Sequence, residues 1–116
     1  MTYKFFILEE FNCTHTNKNE MDPEFLARLD QLRGICGFPF RITSGWRDAT
    51  HPAEARKEKP GTHNQGIACD IAVSNGFERM NIVHEALKLG FGGIGVSKSF
   101  IHIDGRKTTP VMWTYS

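Results

Sequence analysis

The spacing of apolar residues along the chain predicts short strands and two helices separated by polar loops. The first apolar run, Phe5 to Leu8, has the length of a strand and predicts one. The segment from Asn12 to Glu20 is polar and lacks an apolar period, so we expect an ordered loop there. The beginning of the chain therefore predicts a strand followed by a loop.

The clearest helical pattern begins after Asp22. An aspartate can accept a hydrogen bond from a free backbone amide at a helix start, and Pro23 suits the first turn. Apolar residues then recur on one helix face, at Phe25, Leu29, Leu32 and Cys36. Gly34 and Gly37 bring the predicted helix to its end.

The middle of the chain alternates between regular and irregular segments. Residues 40–43 alternate in polarity as a half-buried strand does, and Gly66 to Val73 predicts a second strand. Between them, Trp46 to Gln65 shows neither a helical nor a strand period. Irregular loops of this length in compact domains are commonly functional, so we expect this loop to border a site.

The last third of the chain completes the predicted fold. A helix is expected from about Phe77 to Leu89; Asn75 and Glu78 are placed as its capping box and Gly90 follows it. Three more strands are predicted at 92–96, 100–104 and 111–115. Together the elements predict an α+β fold in which a small mixed or antiparallel sheet and two main helices form one domain over residues 1–116.

Composition and charge narrow the classes of partner. The 116 residues are 40% hydrophobic and 23% charged, as in ordinary globular proteins. A formal net charge of +1 gives no general attraction to phosphate backbones or anionic lipid, so we expect neither nucleic acid nor membrane as a partner. We also expect a monomer. The N-terminal apolar run has no cleavage-site pattern, so we expect synthesis in the cytoplasm without an export signal. Cys13, Cys36 and Cys69 are odd in number and widely spaced, which favours reduced thiols.

Two predicted strands carry ionisable residues on faces that are otherwise poor in large side chains. Asp70 shares its face with glycine and alanine, and a metal site built on a sheet needs such room. His102 and Asp104 share the face opposite two isoleucines, where ionisable groups are costly unless paired or metal-bound. His63, seven residues before Asp70, can fold back over the same face. Spacing alone leaves two hypotheses open, a metal site and a plain His/Asp surface pair.

Three segments resemble a known family. Residues 63–71, His-Asn-Gln-Gly-Ile-Ala-Cys-Asp-Ile, resemble the His-x-x-Gly-x-Ala-x-Asp-Ile signature of the zinc D-Ala-D-Ala carboxypeptidase and dipeptidase family, which includes phage endolysins and is distantly related to the Hedgehog signalling domain. Residues 42–47, Ile-Thr-Ser-Gly-Trp-Arg, are similar to its Ser-Gly-Tyr-Arg segment. Residues 100–104, Phe-Ile-His-Ile-Asp, resemble the segment that supplies its third ligand. The matches keep the family's order, which implies a Hedgehog-like, DD-peptidase-like fold.

The resemblance implies a metal site and its chemistry. His63, Asp70 and His102 would be the protein ligands of one Zn²⁺ per chain, with water in the open fourth position that catalytic zinc sites keep. Arg47 would bind the substrate carboxylate or stabilise the negative charge that grows on the carbonyl oxygen. The competing interpretation of Arg47 is an exposed, solubilising charge.

One position departs from the family's pattern. Many members have a catalytic Glu or Asp three residues before the last histidine, where this chain has Ser99, which cannot act as a base near neutral pH. Asp104 is the leading substitute, and an equal alternative is that it orients His102 instead. His51, in the long loop, is a further candidate for substrate contact.

Three functional hypotheses follow. The first is a zinc metallopeptidase that cleaves an amide bond in peptidoglycan stem peptides, as an endolysin-type peptidase or a D-Ala-D-Ala carboxypeptidase, acting at the cell wall and of phage or prophage origin. The alternative is a catalytically impaired zinc module that binds cell wall or is part of a virion. The third takes His63, His102 and Asp104 as an iron triad and leaves Asp70 without a role.

Overall fold

The computed structural model describes residues 3–115, which form an α+β fold. Its elements, in chain order, are a 3₁₀ helix (Leu8–Phe11), α1 (Pro23–Cys36), β1 (Ile42–Ser44), α2 (Pro52–Ala55), β2 (Ala68–Ala72), α3 (Gly76–Lys88), β3 (Gly93–Val96), β4 (Phe100–Asp104) and β5 (Val111–Thr114). The predicted fold class, with two main helices and a small sheet, is confirmed.

The five strands form one mixed sheet. Their order is β1-β2-β4-β3-β5, so the centre of the sheet is the antiparallel pair β2 and β4. Strands β1 and β2 are also antiparallel, as are β3 and β4, whereas β5 runs parallel to β3. The chain therefore brings two segments that are far apart in sequence, around Asp70 and around His102, side by side in the middle of the sheet.

The register of the central strands gives the sheet an apolar face and a polar face. Cys69 lies opposite Ile103 and Ile71 opposite Ile101, all of them buried in the core. Side chains alternate along a strand, so the residues between these point to the other face. That face carries one row of paired residues across the whole sheet: Ser44, Asp70, His102, Gly95 and Trp113.

The two long helices cover the apolar face. Helix α3 contacts both α1 and β4. Their buried residues join those of the sheet in one hydrophobic core that includes Phe25, Leu26, Leu29, Leu32, Ile82, Ala86, Cys69, Ile71, Ile94, Ile101 and Ile103. The opposite face of the sheet is left to the loops and the polar residues.

The helix boundaries follow the predicted caps. The Asp22 carboxylate accepts a hydrogen bond from Phe25 N at 3.3 Å, and α1 ends at Gly37, whose φ is 77°. The Asn75 side chain accepts from Glu78 N at 2.8 Å. The Glu78 carboxylate binds the backbone N–H of Ser74 at 2.8 Å rather than that of Asn75, so the predicted capping box reaches one residue further back.

The predicted first strand, Phe5 to Leu8, was wrong. The backbone amides of Lys4 and Phe5 donate to the carboxylate of Asp30 on α1, at 2.9 and 2.8 Å, so these amides are not free for pairing with a strand. The chain then turns into the 3₁₀ helix, in which Phe11 is buried. Within the apolar run only Phe6 enters the core, whereas Phe5, Ile7 and Leu8 are exposed.

The long loop before β2 is irregular, as expected, apart from the short helix α2.

All three cysteines are free thiols. Burial and the negative charge of Glu85 raise the pKa of Cys36 to about 11, and burial raises the pKa of Cys69 well above its ordinary value. Among the helices of residues 3–115, none is long and apolar enough to cross a membrane.

Replacing the α1 cap should destabilise the fold by a modest amount. Asp22→Ala removes the side-chain acceptor of Phe25 N and should lower the free energy of unfolding by about 1 kcal/mol, measured by urea denaturation. Asp22→Asn keeps an acceptor oxygen and should retain most of that stability. Equal losses for the two variants would show that the side-chain cap does not stabilise α1.

Candidate metal centre

Three buried side chains converge on the polar face of the sheet. His63, Asp70 and His102 each offer a ligand atom, and these atoms lie within 4.8 Å of one another. Asp70 Oδ1 lies 3.3 Å from His63 Nε2 and 3.0 Å from His102 Nδ1. All three residues are less than 10% exposed, at 4%, 7% and 4%. The structure thus brings together the three residues that the sequence singled out.

The sheet itself positions two of the three. Asp70 on β2 is the register partner of His102 on β4, so both side chains point to the same face at adjacent positions. Their strand neighbours on the apolar face, Cys69 and Ile103, are fully buried in the core. The burial of those neighbours specifies the register and with it the placement of the pair.

A tight turn before β2 positions His63. Gly66 has a φ of +78°, and a Cβ there would lie 2.3 Å from the carbonyl oxygen of Glu20. The turn is closed by a hydrogen bond from Ile67 N to Thr62 O at 3.1 Å, and Asp22 N at the start of α1 donates to Gly66 O at 2.9 Å. Glycine is needed because both the positive φ and the close approach exclude a side chain.

The segments around Arg47 and His63 are tied together by hydrogen bonds. Arg47 N donates to His63 O at 3.3 Å, Trp46 Nε1 donates to Asn64 O at 2.8 Å, and Asn64 Nδ2 donates to Arg47 O at 2.8 Å. The two motifs that resembled the family at separate places in the sequence are therefore one structural unit. This unit holds His63 over the sheet.

The outer nitrogen of each histidine ring is occupied. His63 Nδ1 donates to Gly45 O at 2.8 Å, and His102 Nε2 donates to Asp104 Oδ2 at 2.8 Å. When each ring is neutral, these acceptors place its proton on the outer nitrogen, which leaves His63 Nε2 and His102 Nδ1, the nitrogens facing Asp70, with lone pairs. Two imidazole lone pairs and a carboxylate oxygen facing one another fit a bound cation, and this donor set is one that zinc uses.

The electrostatics of the cluster favour a positive charge at its centre. Burial raises the pKa of Asp70, but hydrogen bonds and charge from His102 and His63 outweigh it and hold that pKa well below its ordinary value. Burial lowers the pKa of His102, but hydrogen bonds to Asp104 and Asp70 outweigh it and raise the pKa. The arrangement that stabilises a proton between these groups also suits a metal ion in its place.

The three residues lie at a cleft of about 660 Å³. Its other lining residues are contributed by the long loop, by β4 and by the C-terminal strand: Arg47, Ala53, Lys57, Pro60, Gly61, Thr62, Gln65, Phe100, Arg106, Trp113 and Tyr115. As expected, the long loop borders the site. Among these lining residues and the three ligand candidates, the only carboxylate is that of Asp70.

Arg47 lies in this cleft and is not an exposed surface charge. Its Nη2 is 3.7 Å from Asp70 Oδ2, its Nε donates to Ser44 Oγ at 3.2 Å, and its side chain is 21% exposed. The competing interpretation, a solubilising charge, is therefore wrong. A fixed guanidinium beside the three ligand candidates is able to bind an oxyanion.

Asp104 lies behind His102 and outside the cleft lining. It is 0% exposed and accepts hydrogen bonds from His102 Nε2 and from Arg106, through the backbone N–H at 3.0 Å, Nε at 2.9 Å and Nη2 at 2.7 Å. Burial raises the pKa of Asp104, but these hydrogen bonds outweigh it and hold the pKa well below its ordinary value. Both oxygens are engaged, and such a carboxylate is a weak base at neutral pH.

Neither Ser99 nor the candidate His51 lines the cleft. Ser99 is exposed and immediately precedes β4. His51 caps α2, where its Nδ1 accepts from Ala53 N at 3.1 Å, and its ring packs against His15 with centroids 6.2 Å apart. Burial and the positive charge of Arg47 lower the pKa of His51.

Sequence reasoning missed the roles of two residues of the site. Arg106 contacts Asp104, and Trp113 contacts His102. The alternation of Asp104 with Arg106 along an extended segment was a signal for Arg106.

The fold and the cleft define a class of protein: a small α+β domain with a buried His-Asp-His group that could hold a metal ion. The family model for Peptidase M15 matches residues 4–104, which is most of the chain. The chain therefore belongs to the Peptidase M15 family of metallopeptidases. A comparison with curated proteins finds no match. The matched segment contains all three candidate ligands and ends at Asp104.

Disturbing the turn that carries His63 should cost stability. In Gly66→Ala, the new Cβ would meet Glu20 O and the backbone would keep an unfavourable φ of +78°. We expect the free energy of unfolding to fall by more than about 1 kcal/mol in urea denaturation. Gly76→Ala is the control, because a Cβ there meets nothing within 4 Å. A loss no larger at Gly66 than at Gly76 would contradict this account of the turn.

Proposed function

We propose that the chain is a zinc peptidase that cleaves an amide bond in the stem peptides of peptidoglycan, with one Zn²⁺ held by His63, Asp70 and His102. The observation that carries this proposal is the convergence of two imidazole nitrogens and one carboxylate oxygen at a cleft. The membership of Peptidase M15 supports it, because that family consists of zinc peptidases that act on such peptides.

The donor set favours a catalytic rather than a purely structural zinc site. Structural sites are closed by four protein ligands, usually with cysteine, whereas catalytic sites use three and leave one position open. Here three ligand candidates are grouped, and no fourth His, Cys, Asp or Glu joins them within residues 3–115. When bound, zinc would lower the pKa of a water molecule and polarise the substrate carbonyl.

Arg47 supplies the second functional group of the proposed site. Its guanidinium is held by Ser44 and lies 3.7 Å from Asp70, so it faces the same part of the cleft as the metal ligands. A planar cation there would bind a peptide carboxylate or stabilise the negative charge on the carbonyl oxygen as the amide is attacked. His51, which caps α2 outside the cleft, is not part of this proposal.

Of the two roles considered for Asp104, we propose the positioning one. Its carboxylate holds His102 Nε2 at 2.8 Å and is enclosed by Arg106, so it acts on the metal through the ring rather than on water. The iron triad is not supported by this geometry. Asp104 lies on the outer side of His102, whereas Asp70 lies between the two ring nitrogens that face inward.

A second candidate function follows from the lack of a dedicated base. Ser99 is exposed, and the lining of the cleft includes no carboxylate besides Asp70. A domain that holds zinc and binds stem peptides, without turning them over, would fit these features as a cell-wall-binding or virion structural module. The two functions share the metal and differ in whether an amide is cleaved.

The decisive experiment measures metal and product together. Zinc content of the purified chain is determined by elemental analysis, and release of new amino groups is followed on purified peptidoglycan with and without a chelator. We expect about one zinc per chain and release that the chelator abolishes and added zinc restores. Free D-Ala among the products would indicate a carboxypeptidase, and new internal amino termini an endolysin-type endopeptidase.

Matched variants make the result specific to the site. Asp70→Asn should lose zinc and activity, whereas His84→Ala, which removes a largely exposed histidine from α3, should keep both. Zinc without release from several wall types, but with binding to them, would establish the non-catalytic module instead. A chain that binds no zinc after metal-replete purification would contradict both candidate functions.

Replacing Arg47 should separate substrate handling from metal binding. Arg47→Gln removes the guanidinium but none of the three ligand atoms, so zinc content should stay near one per chain. The specificity constant for amide cleavage, kcat/KM, should fall by about 100-fold or more, as it does when a group that stabilises the transition state is lost. Unchanged kcat/KM in this variant would remove Arg47 from the mechanism.

A further inference from the structure

Arg106 binds the Asp104 carboxylate, which in turn holds the outer nitrogen of His102. It donates to both carboxylate oxygens of Asp104, through Nε at 2.9 Å and Nη2 at 2.7 Å, and its backbone N–H adds a third hydrogen bond at 3.0 Å. The paired donors match the planar fork of a carboxylate and so fix its orientation, not only its charge.

The same arginine also contacts an aromatic ring that packs on His102. The Arg106 guanidinium lies 5.0 Å from the centroid of the Trp113 ring, and the Trp113 and His102 rings have centroids 5.1 Å apart. Arg106 thus touches both groups that restrain the imidazole: the carboxylate at its outer nitrogen and the indole against its face. The side chains form a closed ring of contacts, His102–Asp104–Arg106–Trp113.

Two glycines of β3 provide the space for this ring of contacts. Gly93 is the register partner of Asp104, and a Cβ there would lie 2.2 Å from Asp104 Oδ2. Gly95 pairs with Trp113, and a Cβ there would lie 2.7 Å from Trp113 Nε1. Since larger residues would displace the carboxylate and the indole, the glycines of this strand serve the metal centre as well as the sheet.

We propose that Arg106 is a positioning residue of the metal centre, which holds the His102 ring in its metal-binding orientation through Asp104 and Trp113. The inference rests on the proposed function, since it concerns the same site. Without the Arg106 side chain, the buried Asp104 carboxylate would lose two of its four hydrogen bonds, the paired donors that fix its orientation, and would keep those from His102 Nε2 and the backbone N–H of residue 106. The imidazole would then have more than one ring orientation, which opposes metal binding.

The test measures zinc affinity in the absence of any substrate, by competition with a chromophoric chelator. Arg106→Gln should weaken zinc binding by about 10- to 100-fold, the usual effect of losing a partner behind a ligand. Arg106→Lys keeps the charge but not the fork and should fall between Arg106→Gln and wild type. Trp113→Phe, which keeps an aromatic ring on His102 but alters the contact with Arg106, should give a smaller loss.

Arg79→Gln is the matched control. Arg79 on α3 also makes two side-chain hydrogen bonds, to Ser97 O at 3.2 Å and Lys98 O at 2.6 Å, but has no contact with Asp104. Its loss should reduce stability without changing zinc affinity. The visible spectrum of the cobalt-substituted protein adds a readout of ligand geometry: it should change in Arg106→Gln and remain that of the wild type in Arg79→Gln.

The outcomes separate this inference from the proposed function. Wild-type protein that binds no zinc would overturn the proposed function itself. Wild-type protein that binds one zinc, with Arg106→Gln equal to it in zinc affinity and cobalt spectrum, would overturn the positioning role. A rise in KM with unchanged zinc affinity would also overturn it, since Arg106 would then bind substrate directly. If Arg106→Gln does not fold, Arg106→Lys and Trp113→Phe decide, because wild-type zinc affinity in both overturns the proposal.

Discussion

The antiparallel pairing of β2 with β4 places Asp70 opposite His102, and the rest of the site is arranged around that pair. Side chains alternate along a strand, so a slip of one residue would send every polar group of the shifted strand to the opposite face. The slip is opposed because Cys69, Ile71, Ile101 and Ile103 would have to leave the core. Hydrophobic burial on one face of the sheet thus sets the geometry of the ionisable groups on the other.

Two groups of residues are arranged around this pair. From one side, the hydrogen-bonded unit of residues 45–47 and 63–64 lays His63 over Asp70 and brings Arg47 to the same cleft. From the other side, Asp104, Arg106 and Trp113 enclose His102. The outer nitrogens of both histidines are occupied, so their inner nitrogens face Asp70, where they can share a proton with its carboxylate or bind a metal ion. The proposed zinc therefore completes a charge pattern that the folded chain already has.

The sequence predicted those parts of the fold that depend on local patterns. The cap at Asp22, the periodicity of α1 and the alternation in β2 and β4 were sufficient for the fold class and for the face on which Asp70 and His102 lie. It did not predict the 3₁₀ helix at residues 8–11, because the carboxylate of Asp30, far along the chain, takes the amides that a strand would use. The position of Asp104 behind His102 could not be predicted either. It depends on Arg106 and Gly93, which meet Asp104 only in the folded chain.

The most direct test of the account is the crystal structure of the zinc-loaded chain, with the ion located by anomalous scattering at the zinc edge. We predict one ion bound by His63 Nε2, a carboxylate oxygen of Asp70 and His102 Nδ1, at about 2.0–2.2 Å from each, with Asp104 still bonded to His102 Nε2. An ion bound through His102 Nε2, an ion on Asp104 in place of Asp70, or zinc at another site would contradict the account.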